Sequence, residues 1–288
     1  MNIPHTIADL RAHGIRVLAL AHVPTPEADA ELLLAYVLGL GRGQLQAKAV
    51  TGAGVGPDER TAYLEAVERR AAREPLQHIT GIAPFRALEL AVGPGVFVPR
   101  PETEFVAQLA IDALQAVAAP EPLAVDLGTG SGAIALSLAT EVPHASVVAV
   151  ENSPRAFVWA KENVRRVRAG NVRLVFADLA EALPGLDGTV DVLVSNPPYI
   201  PDDAIPRDPE VRLHDPASAL YGGPDGLDVV RALSRRALAL VRSGGVLVIE
   251  HGELQGAELR ALLAADGWRA TATHRDLLGR DRATTALR

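Results

Sequence analysis

From Leu123 onward the chain alternates short apolar runs with helical repeats, and this rhythm constrains the fold more than any other feature. Leu123-Ala124-Val125-Asp126-Leu127 and residues 146–150, 172–176, 190–195 and 245–250 read as strands, most of them too apolar to show a face to water. Helical stretches separate them at residues 133–140, from a Ser153-Pro154 cap through Val167, at 228–241 and near 255–265, and two short strands close the chain. Such alternation predicts a mostly parallel sheet covered by helices on both faces. In sheets of this kind a ligand sits outside the carboxyl ends of the strands.

The front of the chain follows a different rule. Residues 1–74 are expected to form a small all-α bundle. Thr25-Pro26-Glu27 places a hydroxyl before a proline at a first helical position, the following Leu-rich run stops at Gly39, and Pro57-Asp58-Glu59 opens a helix with Tyr63, Leu64 and Val67 on one face. This bundle is either a folding appendage or a docking module for a partner. Residues 75–98 read as a linking β-hairpin, because both 76–81 and 87–92 alternate in the manner of strands. The remainder, 99–288, is the α/β domain. It is expected to start with a helix that Thr103 caps and that runs to Val117.

Composition narrows the class. A chain of 288 residues with 48% hydrophobic content fills a real core. No stretch nears the ~18 consecutive apolar residues of a membrane span, and the start, Met1-Asn2-Ile3-Pro4-His5, lacks a basic end followed by an apolar block, so a cytoplasmic protein without membrane contact is expected. Having no cysteine removes disulfides and thiolate metal sites, and the eight histidines are scattered, so no metal is expected. Net charge is −7, with 8 Lys+Arg against 9 Asp+Glu in residues 1–75 and 20 against 26 in the rest. Neither part carries the basic surface that binding nucleic acid directly demands.

One short stretch carries chemistry. After the apolar run Val192-Leu193-Val194-Ser195 comes Asn196-Pro197-Pro198-Tyr199. Each proline fixes its own φ and keeps the residue before it extended, and neither offers an N–H with which the loop could fold back. The corner therefore points acceptors outward, the Asn196 carboxamide oxygen and the carbonyl of Pro197 or Pro198, with Tyr199 as a flat wall. Two convergent acceptors and a ring suit a planar target bearing NH2. Taken alone, Asn-Pro-Pro is also an ordinary turn, and Tyr199 is equally read as a core-facing aromatic.

The first strand of the alternating region runs into Asp126-Leu127-Gly128-Thr129-Gly130-Ser131-Gly132. Glycines allow a sharp turn and close approach of a ligand, and the helix that follows presents free N–H groups. The pattern also satisfies a dinucleotide fingerprint, and Glu151 beyond it can bind ribose hydroxyls in either cofactor. Asp126 separates the two: its carboxylate repels a pyrophosphate and holds a sulfonium, which favours S-adenosylmethionine. Asp178 either accepts from an adenine amine, with Leu179 against the ring, or caps a helix. Phe97-Val98-Pro99-Arg100-Pro101-Glu102-Thr103-Glu104 presents Arg100 rigidly between two prolines, either as a surface turn or as a brace, with Glu102 and Glu104, for a ligand.

Asp-x-Gly-x-Gly-x-Gly on the first strand together with Asn-Pro-Pro-Tyr on the fourth resembles the class I S-adenosylmethionine-dependent methyltransferases that act on NH2 groups. Pro75-Leu76-Gln77-His78-Ile79-Thr80-Gly81, the 97–104 stretch, Gly222-Gly223-Pro224-Asp225-Gly226-Leu227 and Glu250-His251-Gly252 narrow the resemblance to the peptide chain release factor glutamine methyltransferases, known as PrmC or HemK. The resemblance implies a Rossmann-like seven-stranded domain behind the helical bundle, with S-adenosylmethionine as methyl donor and S-adenosylhomocysteine as product. Its implied target is the side-chain amide nitrogen (N5) of the glutamine in the Gly-Gly-Gln motif of class I release factors. It places Gly128, Thr129, Gly130, Ser131, Gly132, Glu151 and Asn196 on the cofactor, where Asp126, Asp178 and Leu179 are also expected, and Asn196, Pro197, Pro198 and Tyr199 on the substrate glutamine, with Phe97 and Arg100 beside it. Leu179 stands where some members carry an aromatic, and Glu151 replaces the commoner Asp. The rival readings are a DNA adenine-N6 methyltransferase, which needs a basic groove for a flipped base, a free-nucleotide or NAD-dependent oxidoreductase, which leaves Asn196–Tyr199 unexplained, and a non-enzymatic release-factor-binding protein. His251 reads as a hydrogen-bonded structural group. The long, proline-rich and acidic loop 201–225 is expected to order over the target peptide.

Overall fold

The computed structural model describes residues 5–288, so residues 1–4, on which part of the reading of the amino-terminal start rests, lie outside it. The chain forms two compact units. One holds the residues up to Gly81 together with Pro206–His214, and the other holds Ile82–Ile205 and Asp215–Arg288.

The first unit is all helical. Helices α1 (Ile7–Leu20), α2 (Pro26–Leu38), α3 (Arg42–Val50), α4 (Pro57–Ala71) and α5 (Leu76–Thr80) are joined there by a short later helix, Pro209–His214, which is α9 in chain order. Local chemistry sets the ends: the Thr6 hydroxyl accepts from Asp9 N, Pro26 and Pro57 occupy first-turn positions, and Gly39 closes α2 in the left-handed region at φ 61°. Leu10, Leu18, Leu33, Leu34, Tyr63 and Val67 are buried between the helices. A charged cluster is buried beside them. Arg70 pairs with Asp29 and with Glu210 of α9, both at 2.7 Å, and Arg73 reaches the other Glu210 oxygen at 2.5 Å. Removing one member of such a cluster leaves an uncompensated charge, at a cost of about 3–5 kcal/mol.

One expectation fails here for a physical reason. Residues 76–80 are a helix, not a strand: His78 N and Ile79 N both bond to Pro75 O, Ile79 is buried in the helical core, and Gly81 stops the turn at φ 73°. The hairpin consists of β1 (Ile82–Phe85) and β2 (Leu88–Ala91) instead. The loop 201–225 contains α9 and a 3₁₀ turn at Ala217–Ala219. Asp208 Oδ1 accepts from Glu210 N ahead of Pro209, which starts α9 as a cap followed by a first-turn proline would.

The second unit continues with α6 (Pro101–Gln115), β3 (Leu123–Leu127), α7 (Ala133–Glu141), β4 (Ser146–Glu151), α8 (Pro154–Val167), β5 (Val172–Phe176), β6 (Val190–Ser195), α10 (Asp228–Leu240), β7 (Val241–Glu250), α11 (Gly256–Asp266), β8 (Arg269–Arg275) and β9 (Asp281–Leu287). The sheet order is β5-β4-β3-β6-β7-β9-β8, parallel except where β9 runs antiparallel to β7 and β8. Strand residues alternate between two cores. Ala124, Val147, Ala149, Val194 and Val248 face one helical layer, while Val125, Leu127, Val148, Val150, Leu193 and Ile249 face the other. Helix α6 starts at Pro101 with Arg100 as its cap residue, because proline is pre-set for the first turn, so Thr103 lies inside the helix and is buried instead of capping it. The chain runs β3-β4-β5 outward and then returns to place β6 against the free side of β3. That reversal puts the crevice at the carboxyl ends of β3 and β6. Among the described residues no helix is long and apolar enough to cross a membrane.

Candidate active site

The loop after β3 takes its shape from three glycines with positive φ, Gly128 at 74°, Gly130 at 59° and Gly132 at 86°. Side chains other than glycine rarely adopt this region. A Cβ at Gly128 or Gly130 would meet nothing within 4 Å, so the space over the loop is open. The loop is tied to β4 by Gly128 N and Thr129 N, which both donate to Val150 O at 2.9 Å, and by Gly130 N, which donates to Glu151 Oε2 at 2.8 Å. Glu151 is buried, and its second oxygen accepts from Asn152 N and Ser153 N.

Beneath the loop lies Asp126, 1% exposed. Its Oδ2 accepts from the Thr129 hydroxyl at 2.6 Å and Ala135 N at 3.1 Å, while Oδ1 is buried with no hydrogen-bond partner. Burial pushes this carboxyl up to about 7. A buried acid with one oxygen unsatisfied, below an open glycine loop, fits a ligand that brings positive charge.

Asn163 braces the same loop and was invisible in the sequence. Buried on α8, it donates through Nδ2 to Ser131 O and Ala91 O, both at 2.9 Å, and accepts from Ala91 N at 2.6 Å, joining hairpin and glycine loop. Asp178, past β5, is exposed; it accepts from Asn152 Nδ2 at 3.0 Å and from Ala180 N at 2.9 Å, the pattern of a local cap. Leu179 is half-buried against the second core.

Across the crevice the Ser195 hydroxyl donates to Leu127 O at 2.6 Å, which locks the end of β6 to the end of β3. Asn196 follows. Its Nδ2 donates to Thr103 Oγ1 at 3.2 Å, so the carboxamide presents its oxygen in the opposite direction. Pro197 and Pro198 extend the corner, and a Cβ on Gly222 would stand only 2.6 Å from Pro198 O. Gln255 clamps the far side, donating to Tyr199 O at 3.0 Å and accepting from Gly252 N at 2.9 Å. The half-buried Tyr199 is anchored through its hydroxyl, 3.4 Å from Glu250 Oε1, and burial raises its phenol pKa.

Phe97 and Arg100 lie together, the guanidinium 5.2 Å from the ring centroid, but Arg100 pairs at 2.7 Å with the distant Asp215. The neighbours proposed for it are engaged elsewhere: Glu102 pairs with Arg280, and Glu104 accepts from Arg86 N. His251 is buried between Gly252 O at 2.8 Å and the Thr284 hydroxyl at 3.0 Å, and burial lowers its pKa, so it is a neutral structural group. No group of three or more His, Asp or Glu among the described residues has the geometry of a metal site. Thr103, Asn163, Glu250 and Gln255 are the site-forming residues that sequence patterns missed, since each acts through a contact with residues far away in the chain.

The fold brings the glycine loop with Asp126 beneath it and the Asn196–Tyr199 corner to adjacent strand ends. A family described as PrmC N-terminal domain matches residues 9–81, and one described as methyltransferase small domain matches residues 87–211. A release factor glutamine methyltransferase of Streptomyces coelicolor is 51% identical over 277 residues, covering 96% of this chain and 95% of that protein. A 4-amino-L-phenylalanine/4-methylamino-L-phenylalanine methyltransferase of Streptomyces pristinaespiralis is 45% identical over 204 residues, 70% of this chain and 69% of that one. The fold is shared with a Thermus thermophilus 16S rRNA N2 G1207 methyltransferase solved with AdoMet and guanosine, at TM-score 0.54 and 22% identity over 72% of this chain and 49% of that one. With near full-length identity above 50% to one such enzyme, this chain belongs to the release factor glutamine methyltransferases and is an S-adenosylmethionine-dependent methyltransferase.

Proposed function

We propose that this enzyme acts in the cytoplasm and methylates the side-chain amide nitrogen (N5) of the glutamine in the Gly-Gly-Gln motif of class I release factors. The observation that carries this reading is the tether from Asn196 Nδ2 to Thr103, which leaves Oδ1 as a fixed acceptor for an NH2 group. The helical unit, which runs to Gly81 and takes in Pro206–His214, is assigned to docking the release factor, and the unit that follows it in the chain to catalysis. The relative from Streptomyces pristinaespiralis, named for an aromatic amine, supports the shared element of methyl transfer to NH2.

S-adenosylmethionine supplies a methyl group on a positively charged sulfur. Gly128, Thr129, Gly130, Ser131, Gly132, Glu151, Asp178 and Leu179 would hold it, with the unpaired oxygen of Asp126 toward its charge. Asn196 Oδ1 and the Pro198 carbonyl would accept the two N–H bonds of the substrate amide, with Tyr199 on its face and Phe97 and Arg100 at its side. An amide nitrogen is a poor nucleophile because its lone pair is delocalised. As the new bond forms, positive charge grows on that nitrogen and its N–H bonds become more acidic. The hydrogen bonds to Asn196 and Pro198 therefore strengthen in the transition state, which is where they lower the barrier. Alignment by the rigid corner supplies the rest as proximity, and the spare proton leaves to water without a strong base.

Incubation with methyl-labelled S-adenosylmethionine and either a class I release factor or DNA tests the assignment. Label is expected on the Gly-Gly-Gln glutamine of the release factor alone. Label on adenine would favour the DNA reading, and binding without transfer would favour a non-enzymatic role.

A further inference from the structure

Behind the corner, side chains from three elements converge. The parallel register pairs Ser195 with Ile249, so Asn196 and Glu250 leave β6 and β7 side by side. Thr103, 4% exposed, rises between them from the first turn of α6. Its Oγ1 accepts from Asn196 Nδ2 at 3.2 Å, and the Glu250 carboxylate lies beside that hydroxyl, the acceptor nearest to hand for its proton. Glu250 is 2% exposed, lies 3.4 Å from the Tyr199 hydroxyl through Oε1, and keeps Oε2 buried with no partner. The charged groups around it are Arg282 of β9 and Glu102 of α6.

A hydroxyl has one proton to give, and a carboxamide has a donor end and an acceptor end. If Thr103 gives its proton to Glu250, it offers only lone pairs to Asn196, and only Nδ2 can face it. The order of donors then runs Asn196 to Thr103 to Glu250. Resting on the function proposed above, we infer that Glu250 is a positioning residue which, through Thr103 and Tyr199, fixes the Asn196 oxygen toward the substrate NH2 and steadies the aromatic wall. A glutamine at this position could donate to Thr103, turn the hydroxyl proton toward Asn196, and flip the carboxamide so that NH2 would face NH2. Protonation of Glu250 has the same consequence, and burial pushes this carboxyl up to about 7, so the switch falls in an accessible pH range.

The test uses full-length wild type, E250Q, T103V and T103S, with kcat and both KM values measured on a release factor from about pH 6 to about pH 9. Wild-type kcat should fall on the acid side of about 7. E250Q should lose that limb and turn over about 10–100-fold more slowly, as when a supporting partner of a site residue is removed. KM for S-adenosylmethionine should stay within about twofold. T103V should lose turnover as E250Q does, and T103S, which keeps the hydroxyl, should recover most of the loss. In the ligand-free protein, one of the two carboxyl ¹³C resonances that titrate near 7, those of Asp126 and Glu250, should vanish in E250Q and the other should remain. Wild-type kcat with an intact acid limb in E250Q overturns the inference, as does equal loss in T103S and T103V. The threonine pair decides alone should E250Q fail to fold. Wild type that leaves glutamine unmethylated would refute the proposed function instead, so the two failures are distinct.

Discussion

At Asp126 a single carboxyl group shows how binding and stability oppose each other. It is buried with one unpaired oxygen, and burial lifts it from 3.8 to about 7. The sign follows from linkage. Because the folded-state value lies above the unfolded one, the penalty is absent below about pH 3.8, grows as pH rises, and is complete above about 7, at a cost of order 2–4 kcal/mol. Asp126→Asn keeps an acceptor for Thr129 and Ala135 but removes the charge. The ligand-free variant should therefore gain more in Tm over wild type at pH 8 than at pH 5. Calorimetric titration should show affinity for S-adenosylmethionine at least about tenfold weaker, because the charge proposed to face the sulfonium is gone. An equal Tm gain at both pH values would show that burial of charge is not what perturbs this site.

Among the elements, the segment after the corner shapes it as firmly as the prolines within it. Ile200 N donates to Leu220 O and Gly222 N to Ile200 O, both at 2.9 Å, which draws Gly222 against Pro198 O. Gly222→Ala would press a methyl onto that carbonyl and onto Gly226 O. Overpacking of this kind costs about 1–3 kcal/mol, and denaturant unfolding should show a loss in that range. Turnover on release factor should fall at least about tenfold, since the displaced carbonyl is one of the two acceptors proposed for the substrate amide. Unchanged turnover would mean that Pro198 O does not contact the substrate. The βα rhythm from Leu123 on was legible because its strands are long apolar runs ended by caps and glycines. Residues 76–80 were not, because five residues cannot separate a period of 2 from one of 3.6 and the burial of Ile79 against the bundle decides the matter. Helix α9 is short, and the Asp208-Pro209-Glu210 start signal is the one local mark of it in the sequence.

Across the whole molecule, one segment interrupts the sheet unit and belongs to the helical one. After Ile205 the polypeptide leaves the sheet unit, gives Glu210 to the Arg70 and Arg73 cluster of the helical unit, and returns at Asp215 to pair with Arg100. Sequence patterning reached the glycine loop and the Asn196–Tyr199 corner, because both are local and each is specified by backbone chemistry. It missed Thr103, Asn163 and Glu250, whose roles exist only once α6, α8 and β7 are folded around the crevice. The account rests on Asn196 accepting from the substrate amide as charge develops there. Its most direct test is the single-turnover rate of methyl transfer to release-factor glutamine by Asn196→Ala. That rate should drop by roughly 10²–10³ while Tm stays at the wild-type value. A wild-type rate in the folded variant would contradict the account.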